Sequence, residues 1–521
     1  MNGGSSSSKG FGRLRAVIWP IHGWEMKKFL PMSMMMFCML AIYALIRDLK
    51  DTLVIRVATG GGSPCTSAAK LWGVLPMAVV AIAAYSILVK KIGVEKTFYV
   101  SVTFFLAFFT IFGFVLFPMR DILHPSAEWT NRAMHDLPRI APTVSLIGNW
   151  TFFVFYIMAE LWGSVAINAL FWQFANKITK KDEVKRFYGL FACIGNFGLI
   201  FTGSLVIYLS NFTERATKSG NSNALTQNVI IQMSVVLFLG ILLLCLYKYM
   251  NKKILTNPKF YSSKNVKIEK KRKEMSLGRS VKKIFTSSYL MFMLFITLGY
   301  GIAIHLTEVV YNDRIKVFSE QLGGDAAFNA LKGYLSIVTG VITIFVTIVA
   351  SNIIRACKWR TVAAITPISL LGLGGLFFCL LFYAQFHGGF DIQLFGLAFT
   401  PLVFWLGTFT DGLCKGIKYS LYDSSKQMAY IPLDPTLKTE GQAAVETFGG
   451  RMGKAGGAVT VTALAAIVGD AGVIKMAPVL SIALLLVVGA WIISVFALSK
   501  KYEFLKIKKL EEDKESHIIA E

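Results

Sequence analysis

The chain has 521 residues, of which 55% are hydrophobic and 16% charged, with a mean hydropathy of +0.57. A soluble globular domain is about 45–50% apolar and about 25% charged, so the composition excludes a water-soluble globular protein and points to the membrane class. The net charge of +24 gathers in loops between apolar runs, which argues against a nucleic-acid-binding surface.

Residues 1–29 are Ser/Gly-rich and basic and include Trp19, Pro20 and Trp24. They lack an apolar core with a small-residue cleavage site, so they read as a cytoplasmic tail leading to an interfacial helix. Apolar segments near the roughly 20 residues that cross a bilayer follow at 30–46, 72–90, 97–118, 143–172, 188–209 and 227–249. The fourth is long and carries Trp150, Glu160 and Gly163, which predicts a tilt or kink. A basic cytoplasmic linker, 250–286, precedes further segments at 287–311, 333–354, 361–385, 393–414, 443–468 and 476–498, and a cytoplasmic tail spans 500–521. The expected fold is an all-α membrane protein of about twelve transmembrane helices. They form two six-helix bundles, 30–249 and 287–499, in a major-facilitator-like arrangement with a substrate site between the halves.

Lysine and arginine collect in alternate connections: the N-terminal tail, Lys90–Lys91, Lys177–Arg186, 248–286, Arg355–Arg360 and Lys500 onward. By the positive-inside rule both termini are cytoplasmic, which requires an even number of spans. The basic run 247–274 reads as a loop near anionic headgroups, and no nucleic-acid partner is expected. The seven cysteines are scattered without a CxxC pair, so neither a disulfide framework nor a metal site is expected.

Some charges do not belong to loops. Lys50, Lys70, Glu160, Glu308, Lys415, Lys418 and Lys454 lie within or at the ends of apolar segments. A charge at the bilayer centre costs roughly 2.5–3.5 kcal/mol on insertion scales, so it usually faces a partner or a water-filled path. Plainer readings exist for each. Lys50 and Lys70 can snorkel to the interface, Lys415 and Lys418 sit near a cytoplasmic end, and the glutamates can form structural ion pairs. Lys454 stands in GGRMGKAGG, 449–457, where glycines admit a ligand or a second helix close to the backbone. The two halves echo each other weakly: span four carries Glu160 and span ten Asp411.

Surplus positive charge around two deep carboxylates suits an anionic ligand, and lysine suits phosphate oxygens. Trp162, Trp172, Tyr156, Tyr419 and Tyr422 lie near these charges; they read as core, with stacking on a planar base as the sharper alternative. MGKAGG lacks the spacing of a phosphate loop, so ATP hydrolysis is not expected. The six histidines form no constellation, His305 and Glu308 coming nearest to one, which leaves a membrane-embedded transferase as the remote alternative. The residues therefore read as a secondary transporter for an organic, phosphorylated anion, with no enzymatic role and no cofactor.

Motifs carry the reading further. RDLKDTLVI (47–55), AELWGSV (159–165), FWQFAN (171–176), KRFYGLF (185–191), HLTEVV (305–310), KYSLYDSSKQMAYIPLD (418–434), GKAGG (453–457) and the opening WPIHGWEMKKFLPM (19–32) together resemble the ATP/ADP translocase family. These are nucleotide transporters of obligate intracellular bacteria and plastids, unrelated to the mitochondrial carrier. The resemblance implies a transporter of nucleotides, in many members exchanging ATP for ADP and phosphate. It implies a bacterial inner membrane ahead of a plastid inner envelope. The family's four charged positions fall on Lys70, Glu160, Glu308 and Lys454. The lysines are implied to meet phosphates, and the glutamates to balance them and gate the alternation of states. Lys50 and Lys418 join them as candidate substrate-binding residues.

Departures from the pattern leave the substrate open. Where the exchangers read EVTWK, this chain has Glu308-Val309-Val310-Tyr311-Asn312. Where they read KGKAAID, it has Glu440-Gly441-Gln442-Ala443-Ala444-Val445-Glu446, and Gln427 replaces the glutamate of KEMAYIPLD. These changes read as a loss of cationic character at both entrances. Uptake of other nucleoside triphosphates, with or without protons, and of NAD therefore stand beside ATP/ADP exchange.

Overall fold

The computed structural model describes residues 21–179, 181–256, 286–387, 389, 393–394, 396–433, 442, 445–468 and 472–520. Residues 1–20 of the expected tail, 257–285 of the linker, and Glu440, Gly441, Ala443 and Ala444 lie outside the described residues. The described chain is helical apart from a two-residue antiparallel pair, Gln393–Leu394 with Leu397–Ala398. Long apolar helices are what a bilayer demands, because hydrocarbon offers no partner to an unpaired peptide group.

Nine described helical runs are long and apolar enough to cross a membrane: α1 (Gly23–Val57), α2 (Ser63–Leu116), α3 (Trp150–Ile178), α4 (Arg186–Lys218), α5 (Ala224–Ile254), α6 (Ser288–Leu322), α7 (Asp325–Ile354), α8 (Trp359–Phe386) and, last in the chain, Val473–Ile507. Between the last two come α9 (Phe399–Ile417) and α10 (Gly450–Val468), each 19 residues long; Val473–Ile507 is therefore α11. α2 runs for 54 residues, far beyond the roughly 20 needed for one crossing, and is broken at Gly93, whose φ of 81° and ψ of 164° no helix accommodates. Span four is interrupted beside Trp150, as expected, and widens into a π-helix at Gly163–Phe171. Ala141–Gly148 stops at Asn149, whose side chain bonds Thr59 and Ser145, and α3 restarts at Trp150.

Two large apolar cores lie in opposite halves of the sequence. One draws on residues from Ile21 to Ile254. The other draws on Tyr289 to Tyr502 and takes in a single residue of α1, Ile55. Glycines bring helices together where the halves meet. A Cβ on Gly203 of α4 would come 2.6 Å from the Gly333 carbonyl oxygen of α7, and one on Gly333 would come 2.8 Å from the Gly203 oxygen.

The helices also widen locally. Leu75 N–H bonds the carbonyl of Lys70, and Asp423 N–H that of Lys418, both five residues back. Such π-turns recur at functional sites.

Candidate functional site

α1 and α7 run antiparallel and meet rung by rung. Arg47 donates to Ser336 Oγ at 2.6 Å, and Ser336 donates to Asp48 at 2.6 Å. One turn on, Lys332 Nζ lies 2.9 Å from Asp51 Oδ2, and Thr52 lies 3.3 Å from Asn329. At the end of α1, Arg56 pairs with Glu320 and with Asp325, each at 2.7 Å. Lys316 of α6 adds a bond of 2.8 Å to the Gly61 carbonyl. These contacts tie the two halves at the end where α1 finishes. Toward the opposite end the ion pairs Lys28–Glu183, Arg186–Glu25 and Lys426–Glu446 each stay within one half.

The deep charges sit along this seam. Lys70 of α2 reaches across to Glu308 of α6 at 3.2 Å and to His305 Nδ1 at 3.0 Å. Lysine can only donate, so Nδ1 accepts and the ring proton sits on Nε2, which donates to Ser67 Oγ at 3.0 Å. Both ring nitrogens of His305 are thus engaged.

Glu160 of α3 meets Lys50 at 3.1 Å. Lys50 is itself enclosed, with its side chain 3% exposed, by Asp51 at 2.7 Å and the ring of Tyr156 at 3.9 Å. The snorkelling reading therefore fails for Lys50, whose ammonium is buried inside the protein.

Lys454 is different. It is exposed, and among the described residues it has no ion pair or hydrogen bond. Its helix, α10, packs both on α6 and on the Ser63–Val74 stretch of α2, which places it where the halves meet. The glycines around it serve a helix rather than a ligand: a Cβ on Gly453 would come 3.1 Å from Gly301 Cα, and one on Gly457 would come 2.9 Å from His305 Cβ. α10 packs its glycine face on α6. Lys418 stands apart from the other five candidates, pairing with Asp423 at 3.4 Å and lying 4.1 Å over the Tyr419 ring.

The aromatic residues divide as the plainer reading expects. Trp162 is buried with its indole N–H on the Met39 carbonyl, Tyr422 bonds the Ile296 carbonyl, Trp172 packs on Tyr188, and Tyr156 gives its face to Lys50. Tyr419, 52% exposed, lies outside the core.

Four departures from the motif pattern find partners inside the protein. Asn312 of α6 accepts from Lys332 of α7 at 2.7 Å. Gln442 donates to Gln427 at 2.7 Å, so the lysine and glutamate missing at these positions face one another as an amide pair. Tyr311 packs against Phe377 and Phe404 and bonds Thr408. Asn312 thus meets the cation of Lys332, and Gln442 meets the neutral Gln427, whereas Glu440, the other change in that motif, lies outside the described residues. The apolar run of span eight begins only at 333, so its sequence pattern leaves Lys332 in a loop. α7 in fact begins at Asp325.

Two apolar cores on opposite halves, tied across the seam by ion pairs and hydrogen bonds, define a multi-pass membrane protein of the major-facilitator type. The fold agrees. The chain resembles a D-xylose-proton symporter with a TM-score of 0.57 at 12% identity, covering 91% of this chain and 97% of that one. It resembles a bacterial homologue of the iron transporter ferroportin with a TM-score of 0.52 at 10% identity, covering 92% and 100%.

Residues 4–502 match the TLC ATP/ADP transporter family, and the chain belongs to that family. ADP,ATP carrier protein 1 of Rickettsia bellii is 38% identical over 493 residues, 94% of this chain and 96% of that protein. ADP,ATP carrier protein 1 of Chlamydia pneumoniae is 35% identical over 501 residues, 95% of each.

Proposed function

We propose that this chain exchanges ATP for ADP across a bacterial cell membrane by alternating access, carrying out no chemical step itself. The observation that carries this reading is the contrast between two lysines. Lys70 is held across the seam by Glu308, while Lys454 stands exposed and unpaired between the halves. A nucleotide phosphate entering between them meets one cation that is free and a second that a carboxylate can release. Glu308 and Glu160 compete with phosphate for Lys70 and Lys50, so a bound nucleotide can also leave. A ligand moves such an equilibrium only through its different affinity for the two states, and partner exchange at Lys70 supplies that difference.

In this reading the segments 30–249 and 287–499 are the moving bundles, joined by the linker 250–286. The excess of lysine and arginine in alternate loops assigns both termini to the cytoplasm. The tied end is then the outer one in this reading. Lys418, 4.1 Å over the ring of the exposed Tyr419, places a cation against an aromatic face. The substitutions at 312, 427 and 442 have partners within the protein.

Purified protein in vesicles loaded with ADP, or left empty, tests the proposal with labelled ATP outside. Uptake that requires internal ADP is expected. Equal uptake into empty vesicles would overturn exchange, and no uptake of ATP or ADP would overturn the nucleotide reading.

A further inference from the structure

Lys332 is an intramembrane cation that none of the motifs includes. Its side chain is 3% exposed, and its ammonium lies between two oxygens from opposite halves: Asp51 Oδ2 at 2.9 Å and Asn312 Oδ1 at 2.7 Å. The other oxygen of Asp51 holds Lys50 at 2.7 Å, and Lys50 holds Glu160 at 3.1 Å. An unbroken file of polar contacts thus runs from Asn312 through Lys332, Asp51 and Lys50 to Glu160.

The arrangement gives each ion of the cross-half pair one partner that it keeps and one that it loses. When the halves part at this end, Lys332 leaves Asp51 but retains Asn312, which is on its own half. Asp51 leaves Lys332 but retains Lys50. A buried charge stripped of every partner is strongly unfavourable, and here neither charge ever is. A neutral amide is the suitable resting partner, because it accepts from the ammonium without competing with Asp51 as a carboxylate would.

We infer that Lys332 and Asn312 form, with Asp51, a releasable latch between the halves, and that Lys332 positions the binding charges Lys50 and Glu160 through Asp51. Lys332 and Asn312 are positioning residues; neither needs to touch the substrate. With Lys332 gone, Asp51 spends its whole charge on Lys50, which lowers what Lys50 can offer to phosphate. The inference deepens the exchange reading and rests on it for the link to nucleotide, but the latch itself is a statement about closure alone.

The test is a swap. Lys332→Asn removes the cation, Asn312→Lys sets two ammonium groups against each other, and the double substitution returns one ammonium and one amide to the same place. Closure is read from labelling of Ile55→Cys by a membrane-impermeant maleimide, in a chain whose native cysteines are replaced by alanine. Ile55 is fully buried against the other half at the latched end, so labelling reports opening there. Each single substitution is expected to raise the labelling rate about tenfold and to lower ATP/ADP exchange about tenfold, and the swap is expected to restore both to within about threefold. Singles that label like the parent, or a swap no better than the worse single, would overturn the latch. Should Lys332→Asn fail to fold, Lys332→Gln and the swap carry the same expectations. A parent that labels as expected but exchanges no nucleotide would count against the exchange reading and leave the latch standing.

Discussion

Gly301 of α6 and Gly453 of α10 lie backbone to backbone: a Cβ on Gly301 would come within 2.8 Å of Gly453 Cα and 2.9 Å of Lys454 N. The atoms it would strike are main chain, which cannot swing aside as a side chain can. This contact fixes the height and rotation of the turn that presents Lys454. Gly301→Ala is therefore expected to destabilise the protein by about 1–3 kcal/mol, the usual cost of overpacking, and to weaken ADP binding by moving Lys454. Thermal unfolding with and without ADP checks it. A variant with parental melting temperature and parental ADP stabilisation would show that α10 shifts freely and that the glycine is no constraint.

The unequal settings of the two lysines predict unequal variants. Lys454→Ala removes a group without a partner, so it should leave the apo melting temperature nearly unchanged while abolishing stabilisation by ADP. Lys70→Ala strands Glu308 and His305, so it should lose ADP binding and also about 1–3 kcal/mol of stability, the usual cost of an unsatisfied polar group. Glu308 keeps 27% side-chain exposure, and water therefore holds that cost below the range for a fully buried pair. Glu308→Gln together with Lys70→Ala should recover part of the stability but none of the binding. A Lys454→Ala protein that binds ADP at parental affinity in calorimetry would remove Lys454 from the site.

These comparisons also show what a single sequence could reveal. Apolar runs, deep charges and glycines are properties of one stretch at a time, and Lys70, Glu160, Glu308 and Lys454 were legible from them. Partners were not. Lys332 and Asp51 are 281 residues apart, and Lys70 and Glu308 are 238 apart, so no local pattern joins them. Gln442 read as a lost cation because its neighbour Gln427, lost in the opposite sense, is brought against it only by the fold. The glycines around Lys454 admitted a ligand or a helix equally well until α6 occupied the space. Lys50 looked able to reach the interface because its side chain is long, yet Asp51, Glu160 and Tyr156 close around it.

The amide pair makes a prediction of its own. Gln427→Glu with Gln442→Lys restores opposite charges to two positions 2.7 Å apart. Gln427 is exposed and Gln442 half-buried, so the new pair should change stability by only about 0–1 kcal/mol and leave the preference among ATP, GTP, CTP, UTP and NAD unaltered. Competition for labelled ATP uptake in vesicles measures it. A changed preference in the double variant would mean that these positions read the substrate, and that their neutrality in this chain is a matter of specificity.

The rungs between α1 and α7 should respond differently to salt. Arg56 has a side chain 21% exposed, and its partners Glu320 and Asp325 are 48% and 43% exposed. Ions reach such a pair, and the Debye length falls from about 10 Å at 0.1 M to about 3 Å at 1 M. The Lys332–Asp51 rung, at 3% and 7% exposure, is shielded from them. Raising salt to about 1 M should thus open the Arg56 rung and leave the Lys332 rung closed. In the Ile55→Cys labelling experiment, Arg56→Gln should speed modification by about two- to threefold at low salt, the scale of a surface pair. At high salt parent and Arg56→Gln should converge, whereas Lys332→Asn should stay well above both. A parent whose labelling rises at high salt to the level of Lys332→Asn would show that water and ions already penetrate the inner rung, and that burial does not protect it.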